Sequence, residues 1–104
     1  MLVRVWTGRT RREDEGAYLA FLREKGLKDY LATPGFLGVS VLTRAVGDEV
    51  EFVLLSRWTG LDAVRAFAGD EPDRAVYYPE DDQFLQGRAL HVIHYTLADE
   101  VRPA

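Results

Sequence analysis

His91 and His94 are the only side chains in this sequence that titrate near neutrality without help from their surroundings. They lie three apart in a stretch that reads as a strand, so they point to opposite faces. One strand therefore cannot make them a paired metal site, and at most one of them enters any pocket. His94 shares its face with Leu90 and Val92, the more apolar set, and is the candidate catalytic base; a hydrogen-bonded core histidine is the alternative. Trp6, Trp58, Phe67 and Tyr78 could line a slot for a flat ring, although aromatics on strands are commonly core. Arg57 or Arg88 could stabilise an oxyanion, with Tyr77 as a second catalytic candidate. Tyr77 and Tyr78 precede Pro79 in a long irregular stretch, where a lid over such a slot would be found. The Glu80-Asp81-Asp82 run lacks any cation-loop spacing and reads as a solvated loop favouring a helix start.

Much chemistry is excluded by what the chain lacks. No cysteine is present, which removes disulfides, thiol nucleophiles and thiolate metal sites. There is no nucleophile, histidine and acid spacing of a hydrolase, no phosphate loop and no dinucleotide fingerprint. A net charge of −4 argues against nucleic acid as a partner, and the cluster Arg9, Arg11, Arg12 is answered at once by Glu13, Asp14 and Glu15. No apolar run is long enough for a bilayer or a signal peptide, so no membrane association and a cytoplasmic location are expected. At 104 residues, 47% hydrophobic and 29% charged, residues 1–104 read as one domain with a real core.

The elements that would position these residues follow from period and punctuation. Leu2 to Thr7 reads as a strand, with Gly8 and Thr10 as breakers. A helical stripe from about Glu13 carries Tyr18, Phe21 and Leu22, kinks at Gly26, resumes with Leu27, Tyr30 and Leu31, and stops at Thr33-Pro34-Gly35. Phe36 to Thr43 and Glu49 to Trp58 form a hairpin around Gly47-Asp48. Thr59 is a candidate N-cap for a helix bearing Leu61, Val64 and Phe67, which Gly69 ends. Asp70 to Gly87 is irregular apart from one turn near Asp82 to Leu85, and a last strand runs from about Leu90 to Leu97. The order is that of an α+β, ferredoxin-like βαββαβ domain: a four-stranded antiparallel sheet with both helices on one face. Its other face still carries apolar side chains, which a second copy of the sheet would cover in a homodimer.

Several of these segments resemble one family. The runs Phe52-Val53-Leu54-Leu55-Ser56-Arg57-Trp58, Leu61 to Gly69 and Ala75-Val76-Tyr77-Tyr78-Pro79 are similar to those of the antibiotic biosynthesis monooxygenase superfamily. Val5-Trp6-Thr7-Gly8, Thr33-Pro34-Gly35 and His94-Tyr95 are similar too. The resemblance implies a dimeric α+β barrel with a pocket between sheet and helices in each subunit. It implies cofactor-free oxygenation of an aromatic or quinol-like small molecule; the alternative, which the absence of an assembled acid/base constellation favours, is a non-catalytic small-molecule-binding or stress-related dimer. A haem-degrading branch of the superfamily uses an asparagine from the first strand and a tryptophan and a histidine near the second helix. Here there is no asparagine, Phe67 stands for the tryptophan, and Val76 or Tyr77 falls where the histidine would be, so no cofactor is expected.

Overall fold

From Glu49 to Trp58 the side chains alternate between buried and half-exposed, with Val50, Phe52, Leu54, Ser56 and Trp58 on the buried side. That period of two makes this strand the spine of the sheet. In the computed structural model, which describes residues 1–104, it is β3, and it pairs along its whole length with two antiparallel neighbours. β1 is Leu2–Arg11 and β2 is Phe36–Val46. β2 and β3 meet at Gly47, whose φ of +59° suits glycine and closes the expected hairpin.

Between β1 and β2 the chain forms α1 (Glu15–Phe21), a π-helical turn (Leu22–Gly26) and α2 (Lys28–Ala32), the kink that Gly26 predicts. After β3 come α3 (Leu61–Ala68), a single turn α4 (Asp81–Phe84) and two short strands, β4 (Gly87–Arg88) and β5 (Ile93–Thr96). The sheet order is β2-β3-β1-β4, with β5 also on β1. This is the α+β, ferredoxin-like arrangement, and the sheet does not close on itself. Tyr18, Phe21, Leu22 and Tyr30 from the helical stretch and Val64 from α3 pack with Trp6, Phe52, Leu54 and Trp58 on one sheet face.

Three expectations need correction. Neither Gly8 nor Thr10 breaks the first strand: Thr10 pairs with Val50, and Gly8 pairs with Phe52 on one side and Arg88 on the other. A Cβ at Gly8 would lie 2.5 Å from Trp6 Cη2, so the missing side chain makes room for the indole. Thr59 does not cap α3, which starts behind Gly60 without any side-chain cap; the Thr59 amide instead donates to Gly35 O at 2.8 Å.

The last strand is also not continuous. Arg88 stands opposite Gly8 and Ile93 opposite Val5, so Ala89 to Val92 face only Trp6 and Thr7. The surplus residues bulge away from β1 and find other partners. Ala75 N donates to Leu90 O at 2.9 Å and Val92 N donates to Asp73 O at 2.7 Å. Leu90 is thereby expelled to solvent, while Val92 stays in the core.

Candidate functional site

A narrow slot runs between the sheet and the helical layer. Trp6 of β1 and Leu54 of β3 form its floor, Tyr18 and Tyr30 come from the helical stretch, and Phe67 from α3. Tyr78 and Asp81 close it from the irregular segment, and Gly26 of the π-helical turn lies on the opposite wall. The free volume is about 20 Å³, room for a water-sized group, so an aromatic ligand must push the closing segment aside.

Hydrogen bonds hold that segment shut. Tyr18 donates its phenol to Asp81 Oδ1 at 3.0 Å, and the Tyr78 amide donates to Asp81 Oδ2 at 2.8 Å. The Tyr78 hydroxyl donates to Asp29 Oδ2 at 2.6 Å, and Lys25 pairs with Glu80 at 3.5 Å. Burial, then the nearby carboxylates, raise the phenols of Tyr18 and Tyr78 far above the usual tyrosine range. Burial pushes the Tyr30 phenol up to about 12, against the pull of the Arg4 guanidinium beside it. These phenols are donors at neutral pH. Asp81 corrects the reading of Glu80-Asp81-Asp82 as a wholly solvated run, because it is buried and both of its oxygens accept a bond.

Behind Phe67 and Tyr30 lies Arg4, which is 1% exposed. It donates from Nη1 to Pro72 O and, at 3.1 Å, to His94 Nε2, and from Nη2 to Arg74 O at 2.8 Å. Its guanidinium carbon lies 5.7 Å from the Phe67 ring centre, within cation–π range. Two buried side-chain polar atoms have no partner anywhere in the chain: Arg4 Nε and Trp6 Nε1.

The slot thus gathers Trp6, Phe67 and Tyr78 of the residues singled out by sequence, and leaves the others outside. Trp58 is fully buried one layer away, packed on Phe67, Tyr30 and Phe36, with its N–H donated to Ser56 Oγ at 2.9 Å. Arg57 is on the opposite face of the sheet, near Ser40 Oγ. Tyr77 packs edge-on against Trp6, donates to Ala89 O and lies under Arg88, which also pairs with Asp82. Burial raises the Tyr77 phenol, with the Trp6 N–H, which lies nearby but outside hydrogen-bond geometry, and the Arg88 charge drawing it partly back. His94 lies opposite Arg4 rather than in the slot, with Nδ1 3.0 Å from Asp73 Oδ1. His91 faces solvent beside Arg74.

Sequence reasoning missed Tyr18, Tyr30 and Asp81 as slot residues and Arg4 as the buried cation behind them. A signal existed for Arg4, since it shares its strand phase with Trp6 and a charge on that phase needs a reason.

No family model matches the sequence, and no curated protein is significantly similar to it. Solved structures do match over nearly the whole chain. A Bacillus cereus protein of the antibiotic biosynthesis monooxygenase type aligns with a TM-score of 0.66 at 16% identity, over 98% of this chain and 97% of that one. A monooxygenase from the gene ActVA-Orf6 of Streptomyces coelicolor, solved with nanaomycin D, gives 0.65 at 18% identity, over 99% and 92%. The haem degrader MhuD of Mycobacterium tuberculosis, with two haems in its active site, gives 0.58 at 20% identity, over 98% and 100%. This chain has their fold. At such identities the likeness carries the architecture, and the chemistry rests on the slot.

The slot's fit to a haem can be tested on its donors. No imidazole lines it, and of the groups that ligate haem iron it offers only phenols that burial holds protonated. The lining in this arrangement does not fit that group. No cluster of histidine and carboxylate side chains is arranged to hold a metal ion, and no helix is long and apolar enough to cross a membrane.

Proposed function

We propose that the slot binds a flat aromatic or quinol-like small molecule and that the protein oxygenates it without a cofactor. The observation that carries this reading is a slot walled by Trp6, Tyr30 and Phe67 beside two buried donors without an acceptor in the chain, Nε1 of the lining Trp6 and Nε of Arg4 behind the Phe67–Tyr30 wall. In an oxygenation of this class an anthrone-type ring gives up a proton and its carbanion passes an electron to O₂. Recombination and loss of water then leave the quinone, one oxygen atom going to product and the other to water. The chain's part is to hold the ring, to favour its anion with N–H and O–H donors, and to keep bulk water out.

A second reading, binding without chemistry, is favoured by one observation: both nitrogens of His94 are engaged, so the slot has no free imidazole to take a proton. Oxygen uptake by the purified, metal-free protein with an anthrone-type substrate decides between the two. Uptake above the spontaneous rate supports oxygenation, saturable binding without uptake supports the binding module, and neither overturns both.

We further propose that the working unit is a homodimer joined through the open sheet face. Val3, Val5, Val53 and Leu55 lie on that face with Leu42, Ile93 and Tyr95, the last three among the most exposed large apolar side chains. The folded chain exposes 6597 Å², against roughly 5,900 Å² for a monomer of this mass.

A further inference from the structure

Arg4 is a buried cation that touches no carboxylate. Its three bonds go to the carbonyls of Pro72 and Arg74 and to an imidazole nitrogen, all neutral acceptors. The nearest acid, Asp73, is reached only through His94. Clamping the 72–74 segment explains the two terminal nitrogens, but neither the free Nε–H nor the charge. A full charge in an interior is ordinarily paired, because the interior solvates it poorly.

The surroundings of Arg4 indicate where its counter-ion belongs. The guanidinium lies over the ring of Phe67 and beside the phenol of Tyr30, and both side chains are walls of the slot. Two residues further along the same strand face, Trp6 lines the slot and carries the other donor without an acceptor. All remaining buried side-chain nitrogens and oxygens have partners, so the two unspent N–H groups belong to one strand face, that of Trp6 in the slot lining and that of Arg4 behind its Phe67–Tyr30 wall.

We propose that the slot selects a flat ring bearing an anionic oxygen, a phenolate, enolate or carboxylate, with Arg4 as its counter-ion. This deepens the binding reading above and rests on it. A cationic or donor-only ring would leave both N–H groups unpaired and set like charges together; a neutral ring would leave the guanidinium as it is. For an oxygenated substrate the same charge favours loss of the substrate's proton, which a slot without a free base otherwise does not promote.

The test uses the full chain and two quinones of nearly one shape. 2-Hydroxy-1,4-naphthoquinone is ionised at neutral pH, and its 2-methoxy ether carries no charge. Calorimetry is expected to show the hydroxy compound binding at least ~10-fold more tightly to the wild type, a preference that falls to about one in Arg4→Gln. The visible band of the ionised quinone reports the same interaction in wild type alone. Bound to the protein, that band is expected to persist to lower pH than in free solution. Equal binding of the two quinones, or an unmoved titration midpoint, overturns the counter-ion role and leaves the aromatic-binding reading standing. A preference kept in folded Arg4→Gln overturns the assignment to Arg4. Binding of neither compound overturns both readings. Should Arg4→Gln not fold, the wild-type ratio and the wild-type band still decide.

Discussion

Arg4 and His94 face each other across β1 and β5, and the 3.1 Å approach of Arg4 Nη1 to His94 Nε2 fixes the histidine's proton. A guanidinium can only donate, so Nε2 must hold a lone pair and Nδ1 must carry the hydrogen, which points at Asp73 Oδ1 at 3.0 Å. Neutral His94 is therefore the middle of a chain from β1 to the segment that closes the slot. Protonating it would place a second cation against Arg4 and break the bond that Nη1 makes.

A pH dependence of stability follows. Burial holds the His94 pKa below its ordinary value, the Arg4 charge works in the same direction, and Asp73 opposes them. The native state then binds this proton less readily than the unfolded chain, so the contribution of His94 is complete above the unfolded value of about 6.5 and is lost as pH falls through it towards the native value. Urea midpoints of wild type are expected to drop more between pH 7.5 and 5.5 than those of His94→Gln, in which this group no longer titrates. Parallel midpoints in the two proteins would refute the linkage.

The Tyr18–Asp81 bond supplies the second prediction. Tyr18→Phe keeps the ring and removes the donor, leaving one oxygen of a buried carboxylate short of a partner. The expected loss is about 1–3 kcal/mol by chemical denaturation, with faster proteolysis within the segment from Asp70 to Gln86. Because Asp81 closes the slot, the same variant should admit an aromatic ligand faster than wild type in stopped-flow mixing. Unchanged stability would mean that this bond does not hold the segment.

Gly8→Ala tests how the slot floor is seated. The added methyl would meet Trp6 at 2.5 and 2.9 Å and Leu85 at 3.1 Å, in the middle of a strand paired on both sides. Neither the backbone nor the indole has free room, so a loss of about 1–3 kcal/mol is expected, with a shift in tryptophan emission. A wild-type melting temperature would show that Trp6 has another position open to it.

The hairpin, the kinked helix and α3 were legible because each rests on local chemistry: Gly47-Asp48 between two alternating runs, Gly26 within an apolar stripe, and Leu61, Val64 and Phe67 before Gly69. Gly8 was misread because its value lies in a contact with Trp6, and glycine inside a strand looks locally like a break. The divided last strand depends on pairing with residues 73–75, which only the folded chain brings near. Asp81 looked solvated because the donor that buries it, Tyr18, is 63 residues away. Within the site, Trp6, Phe67 and Tyr78 share the slot, whereas register carries Trp58 to the end of β3, opposite Leu2 and Phe36. Sequence supplies the residue types, and register decides which of them meet.

Phe52 and Val53 are neighbours on opposite faces of β3, so the same substitution at each should fail in different ways. Phe52 has no exposed surface and packs edge-on against Tyr18 at 5.0 Å between ring centres. Phe52→Asp would bury a charge without a partner and should abolish folding, seen as loss of the far-ultraviolet circular dichroism signal. Val53 is paired with Thr7 and Leu42 on the open face, so Val53→Asp leaves the inner core untouched. If a second copy covers that face, sedimentation should show a wild-type dimer at micromolar concentration, while Val53→Asp sediments as a folded monomer. A wild-type monomer would sink the dimer outright. A Val53→Asp dimer would move the interface to another surface, because a sheet-to-sheet contact does not tolerate two unpaired aspartates related by its two-fold axis.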